Sequence, residues 1–167
     1  MNKAVFLDRD GTLNVDYGYV HDIEHFELLP GVVETLRKLE EAGYLLIVIT
    51  NQSGIGRGYY SEEEYLRFEK QIEEFFIEYG IHITAFYHCP HYKEECDCRK
   101  PKVGLFYRAA REYKIDFSQS YAVGDQLRDL EICQCEPVKG IYLGNAEDCS
   151  EYASIKAFTE LLKHCNI

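Results

Sequence analysis

Two aspartates one residue apart, Asp8 and Asp10, follow the apolar run Ala4-Val5-Phe6-Leu7 and precede Gly11-Thr12. The run has the β-branched and aromatic character of a short buried strand, and the Gly-Thr pair turns the chain as soon as the acids have passed. Residues i and i+2 of an extended segment point the same way, so both carboxylates can face one cavity. Two carboxylates that close repel each other unless a cation neutralises them, and Mg²⁺, a hard ion with a preference for oxygen, suits the task. An Asp-rich turn is the plain alternative for a bare Asp-x-Asp, so the rest of the chain has to decide.

A second group has metal-ligand character. Cys89, His91, Cys96 and Cys98 supply three sulfurs and one imidazole within ten residues, a donor set that suits tetrahedral Zn²⁺. Four protein ligands leave no open position for water, so such a zinc is structural and fixes a loop. Arg99 and Lys100 follow the last ligand directly, and the loop therefore places two cations. The remaining cysteines, Cys133, Cys135, Cys149 and Cys165, lack a matching histidine and read as packing or surface residues.

These groups need elements to position them. Hydrophobic runs alternate with helical periodicity, which predicts an α/β fold: a doubly wound, mainly parallel sheet flanked by helices. Strands are expected at 4–7, 44–49, 83–88, 120–123 and 138–143. Helices are expected at about 30–42, 61–79, 104–113, 127–134 and 154–164, the second of them opened by a Ser61/Glu64 capping box. Asp8 and Asp10, Thr50-Asn51 and Gly124-Asp125 then fall at the carboxyl ends of the first, second and fourth strands, the edge where open α/β sheets bind ligands.

Length and composition narrow the reading further. The 167 residues suit one domain spanning 1–167 with the zinc loop at 89–98; only four prolines occur, and no linker or repeat interrupts the chain. A net charge of −11 argues against nucleic acid as a partner. No apolar run is long enough to cross a bilayer and no export signal opens the chain, so a cytoplasmic protein, a monomer that meets neither membrane nor nucleic acid, is expected. An anionic substrate would have to find local cations against this acidic background, which singles out Arg99, Lys100 and Lys102.

In order and strand-end placement, Asp8-x-Asp10-Gly11-Thr12, Thr50-Asn51, Lys100 and Gly124-Asp125 with Asp129 resemble the four motifs of the haloacid dehalogenase superfamily. Within it, the segments 16–21, 50–58 and 89–101 resemble the D-glycero-D-manno-heptose-1,7-bisphosphate 7-phosphatase family, itself close to the histidinol-phosphate phosphatases. The resemblance implies a Mg²⁺-dependent phosphatase that acts on a phosphorylated sugar in lipopolysaccharide core or S-layer synthesis, and since no insertion between Asp10 and Thr50 or between Thr50 and Lys100 is large enough for a cap domain, none is expected. Histidinol phosphate is the alternative substrate. Asp8 would be the nucleophile and Asp10 the general acid/base. The resemblance further implies that Mg²⁺ is held by the Asp8 carboxylate, the Asp10 carbonyl and Asp125. Thr50 and Asn51 would hydrogen-bond the phosphoryl group, and Lys100 would stabilise its charge. Arg57, Arg99, Asp16 and His21 are the candidates for the rest of the substrate, and Asp129 reads as a supporting acid or helix cap.

Overall fold

The computed structural model describes every residue from Met1 to Ile167. Six strands, β1 (Ala4–Leu7), β2 (Leu45–Asn51), β3 (Ala85–Cys89), β4 (Tyr121–Gly124), β5 (Lys139–Leu143) and β6 (Ala153–Ile155), form one sheet in the order β3-β2-β1-β4-β5-β6. Every pairing in it is parallel. From β1 the chain winds outward through β2 to β3, then returns to β4 beside β1 and winds the other way. The order reverses between β1 and β4, and at such a point the loops leaving neighbouring strands part and open a crevice.

The strands carry apolar residues on both faces because both are covered. On β1, Val5 and Leu7 join a core shared with α1 (Val32–Glu41), α3 (Glu62–Glu78) and α6 (Leu161–His164), through Leu36, Leu39, Phe68, Phe76 and Leu161. Ala4 and Phe6, the alternate residues, join a second core with α4 (Gly104–Tyr113) and α5 (Ile132–Cys135), where Phe6 meets Phe106 edge-on at 5.1 Å. The two-residue period of a strand thus splits one tetrapeptide between two cores. The Ser61/Glu64 capping box forms as its spacing predicts.

Two expectations need correction. The final helix does not begin at Ser154: residues 153–155 pair in parallel with β5 as the sixth strand, and the helix occupies only Leu161–His164 after a turn at Phe158–Glu160. Ser154 resembles a helix cap, but the apolar Ile155 behind it is buried in the sheet core, and that burial wins. The segment after β2, expected as loop, also contains a helical turn, α2 (Ser53–Gly56).

Candidate active site

Leu7 is the last residue of β1, and the Asp8 amide still donates to the Val123 carbonyl of β4 at 3.1 Å, so the Asp8 side chain starts from the switch point itself. Gly11 makes the following turn with φ +86°, and a Cβ there would stand 2.2 Å from Asp125 Oδ2. Glycine is needed for the left-handed backbone and for the close approach of Asp125, which arrives from the end of β4.

Lys100 is the hub. Its Nζ donates to Asp8 Oδ1 at 2.9 Å, Asp129 Oδ1 at 2.8 Å and the Ile49 carbonyl at 2.7 Å. An ammonium has three hydrogens and no fourth contact to make, so the group is fixed in position. Burial alone would drive the proton off Lys100, but Asp8 and Asp129 outweigh it and hold its pKa above that of an ordinary lysine. Burial pushes the Asp8 carboxyl upward while Lys100 pulls it back. The Asn51 amide clamps the lysine backbone, accepting from Lys100 N at 3.0 Å and donating to its carbonyl at 3.1 Å. One amide hydrogen of Asn51 is left over, and the side chain lies on the cavity wall, so Asn51 both fixes the Lys100 backbone and keeps a donor for the phosphoryl group.

Asp8, Asp125 and Asp129 form one group whose carboxylate oxygens lie within 4.8 Å of one another. Asp8 and Asp129 both pair with Lys100 while Asp125 pairs with no cation, and the excess negative charge calls for one beside Asp8 and Asp125. Oxygen donors in that arrangement fit Mg²⁺. The same crowding acts on Asp125: burial and then the charge of Asp8 push its carboxyl up to about 7. A folded-state pKa above the unfolded one means that metal-free protein binds more protons than the unfolded chain in the window up to about 7, so this group's contribution to stability declines as pH rises through it. Mg²⁺ competes with that proton. We expect the apparent Mg²⁺ affinity of metal-free protein to fall as pH is lowered below 7, and Mg²⁺ to raise the melting temperature more at pH 8 than at pH 5.5. Calorimetric titration at several pH values checks it, and a flat profile contradicts it.

Asp10 is held by more donors than the sequence suggested. Its Oδ1 accepts from Arg9 Nη2 at 2.6 Å, Arg9 Nε at 3.3 Å and Asn14 Nδ2 at 3.0 Å, and its Oδ2 accepts from Gln52 Nε2 at 3.2 Å. Arg9 is only 1% exposed, bonds the Val20 carbonyl at 2.7 Å and lies over the Phe68 ring. Sequence reasoning passed over Arg9 and Gln52. Gln52 had a legible signal, since it lies two residues beyond Thr50 on an extended segment and faces the same way. Arg9 had none, because an arginine at a strand end usually reaches solvent.

The zinc ligands meet as predicted. Cys89, the last residue of β3, has its Sγ 3.8 Å from Cys96 Sγ and 3.4 Å from His91 Nδ1, which is 3.3 Å from Cys98 Sγ. Tetrahedral zinc with bonds of about 2.1–2.3 Å places its ligands roughly 3.6–3.8 Å apart, so this set fits the ion with almost no rearrangement. Removing zinc from a protein that keeps its Mg²⁺, or making Cys98→Ser, should lower kcat/KM about tenfold or more by releasing the segment that carries Arg99 and Lys100. Zinc-free protein with full activity and an ordered loop would refute that role. Cys133, Cys135, Cys149 and Cys165 are all free thiols.

These groups surround a cavity of about 370 Å³ whose wall includes Asp8, Asp10, Asp16, Thr50, Asn51, Gln52, Arg57, Arg99, Lys100 and Asp125. Arg99 is anchored by Nη1 to the carbonyls of Tyr92 at 2.7 Å and His91 at 3.3 Å, which leaves its other nitrogens without acceptors. The Arg57 guanidinium lies 3.6 Å above the Tyr92 ring, joining the α2 turn to the zinc loop. Asp16 reaches the wall from an exposed turn in which it accepts from Gly18 N. His21 is not on the wall; it stacks on Tyr60 with ring centroids 4.4 Å apart, one layer behind. Arg128 and Gln126, which the sequence reading did not single out, complete the wall on the β4 side.

A three-layer parallel α/β fold with paired aspartates after the first strand, a lysine bridging two acids, and further acids after the fourth strand defines a phosphatase of the haloacid dehalogenase type without a cap domain. The polynucleotide kinase 3 phosphatase family profile matches residues 3–146. The D-glycero-beta-D-manno-heptose-1,7-bisphosphate 7-phosphatase of Haemophilus influenzae is 50% identical over 138 residues, 78% of this chain and 75% of that one. Its counterpart in Haemophilus ducreyi is 48% identical over 145 residues, 82% of this chain and 80% of that one. In structure, the D,D-heptose 1,7-bisphosphate phosphatase of B. bronchiseptica, complexed with magnesium and phosphate, superposes with a TM-score of 0.86 at 25% identity over 98% of this chain and 97% of that one. The chain belongs to the D-glycero-D-manno-heptose-1,7-bisphosphate 7-phosphatase family.

Proposed function

We infer that this chain is a Mg²⁺-dependent phosphatase that removes the 7-phosphate of D-glycero-D-manno-heptose 1,7-bisphosphate, with residues 1–167 acting as one catalytic domain. The observation that carries the reading is the charge arrangement around Asp8: Lys100 bonds its Oδ1 at 2.9 Å, the second acid Asp125 lies within 4.8 Å of it, and Asp10 is held by four hydrogen bonds. The heptose 7-phosphatases of Haemophilus set the substrate, at identities of 50% and 48%. Histidinol phosphate is the alternative that the phosphate-release comparison decides.

In the first half-reaction an Asp8 carboxylate oxygen attacks phosphorus, the bond from phosphorus to the sugar oxygen breaks, and Asp10 gives its proton to the leaving alkoxide. Lys100 neutralises charge on the phosphoryl oxygens and restrains Asp8, and the Thr50 hydroxyl donates to the same oxygens. In the second half-reaction Asp10, now a carboxylate, takes a proton from water as the water attacks the aspartyl phosphate and frees inorganic phosphate. Asp8, the Asp10 carbonyl and Asp125 would hold Mg²⁺, which would supply the charge neutralisation that an anionic nucleophile needs to approach an anionic phosphate.

Arg99 tests the substrate. A planar guanidinium chelates a phosphate with two parallel hydrogen bonds, and the nitrogens left free by the Tyr92 and His91 carbonyls offer such an edge to the distal phosphate of a bisphosphate. Arg99→Ala should cost about 2 kcal/mol or more in kcat/KM for the heptose bisphosphate and much less for a sugar monophosphate, measured by phosphate release. Equal losses would assign Arg99 to the reacting group and weaken the case for a bisphosphate.

A further inference from the structure

The chemistry above gives no task to one fully hydrogen-bonded side chain on the cavity wall. Gln52 is 2% exposed, and its Nε2 donates to Thr50 Oγ1 at 2.8 Å and to Asp10 Oδ2 at 3.2 Å, while its Oε1 accepts from the Tyr60 hydroxyl at 2.6 Å. Both amide hydrogens and the carbonyl are in use, so the amide has one orientation.

We propose that Gln52 is a positioning residue for the general acid: it aims the acid proton of Asp10 at the leaving oxygen and turns the Thr50 hydroxyl toward the phosphoryl group, with Tyr60 and His21 locking it in place. The proposal rests on the reading of Asp10 as the acid. Three donors from Arg9 and Asn14 saturate Asp10 Oδ1. The proton that Asp10 delivers must therefore sit on Oδ2, the oxygen whose direction Gln52 sets. Thr50 Oγ1, having accepted from Gln52, keeps its own hydrogen to donate, and the one competing acceptor is the Asn51 carbonyl at a long 3.5 Å.

The outer end of the relay is built as firmly as the inner. Tyr60 is 4% exposed, and burial pushes its hydroxyl up to about 12, so it remains a donor at any working pH. His21 stacks on its ring at an interplanar angle of 10°. A Cβ at residue 54 would stand 2.3 Å from Tyr60 Cε1, so Gly54 is the residue that lets the ring lie against the α2 turn. A histidine that the sequence suggested for substrate, a glycine and a tyrosine thus share one function, that of fixing an amide.

Leaving-group dependence separates positioning from general damage. A sugar alkoxide needs a proton as it departs, whereas p-nitrophenolate hardly does, and kcat/KM reports only steps up to phosphoryl transfer. Tyr60→Phe and Gln52→Met should each lose at least tenfold more kcat/KM with heptose bisphosphate than with p-nitrophenyl phosphate, and Asp10→Asn should show the same bias more strongly. Tyr60→Phe keeps the buried ring, so it remains informative should Gln52→Met fold poorly. Equal losses on both substrates in Tyr60→Phe and Gln52→Met, with the bias retained in Asp10→Asn, would overturn the positioning role alone. Absence of the bias in Asp10→Asn would overturn the acid assignment, and the relay with it.

Discussion

An Asp8→Asn protein should fold as the parent does and lose phosphate release by roughly 10⁴-fold or more. The amide is nearly the same shape as the carboxylate, and its oxygen can still accept from Lys100 Nζ, which stands 2.9 Å away in the parent. What disappears is the nucleophile, since a neutral amide oxygen attacks phosphorus far more weakly than a carboxylate. The substitution also removes one of three carboxylates crowded around a single ammonium. Metal-free Asp8→Asn should accordingly melt no lower than metal-free parent, while its response to Mg²⁺ shrinks. Calorimetry and a phosphate-release assay check both halves, and activity above a few per cent of the parent would remove Asp8 from the nucleophile's role.

The second large effect belongs to Lys100→Met. Methionine fills much of the same volume but leaves Asp8, Asp129 and the Ile49 carbonyl without their shared donor. Breaking a buried ion pair by deleting one partner typically costs about 3–5 kcal/mol, because the orphaned charge stays in a poor solvent for it. For a chain of this length that corresponds to a melting point lower by about 10 °C. Asp129 is 3% exposed and cannot turn to water. Adding Asp129→Asn to Lys100→Met should therefore restore part of the loss, a coupling that a double-mutant cycle reads directly. Catalysis should fall by about three orders of magnitude in both proteins, since the change also removes the positive charge that restrains Asp8 and offsets the charge of the incoming phosphate. Additive stabilities for the two substitutions would show that Lys100 and Asp129 do not act as a pair.

Much of this was written in local sequence. Asp8 and Asp125 were legible because strand ends in an open parallel sheet converge on one edge, and Lys100 because it lies just after the last zinc ligand. The zinc set was legible because its four ligands lie within ten residues and need no tertiary contact to be recognised. Arg9 was not, since burying a guanidinium under Phe68 depends on a helix that the tetrapeptide before it does not encode. The Gln52–Tyr60–His21 relay escaped for a related reason: it joins three loops, and each residue is individually ordinary. The Asn51 clamp on the Lys100 backbone has no local signal, because it joins residues 49 positions apart. The sixth strand escaped because three residues are too few to carry a periodicity, and only burial against β5 makes them a strand.

The measurement that bears most directly on the whole account is ³¹P NMR of heptose 1,7-bisphosphate turning over on the Mg²⁺- and Zn²⁺-loaded protein, with histidinol phosphate run in parallel. The account predicts that the 7-phosphate monoester resonance disappears as inorganic phosphate grows, that the anomeric 1-phosphate persists in the product, and that histidinol phosphate turns over at least a hundredfold less efficiently. Loss of the 1-phosphate first, or efficient turnover of histidinol phosphate with the heptose bisphosphate left intact, would contradict it.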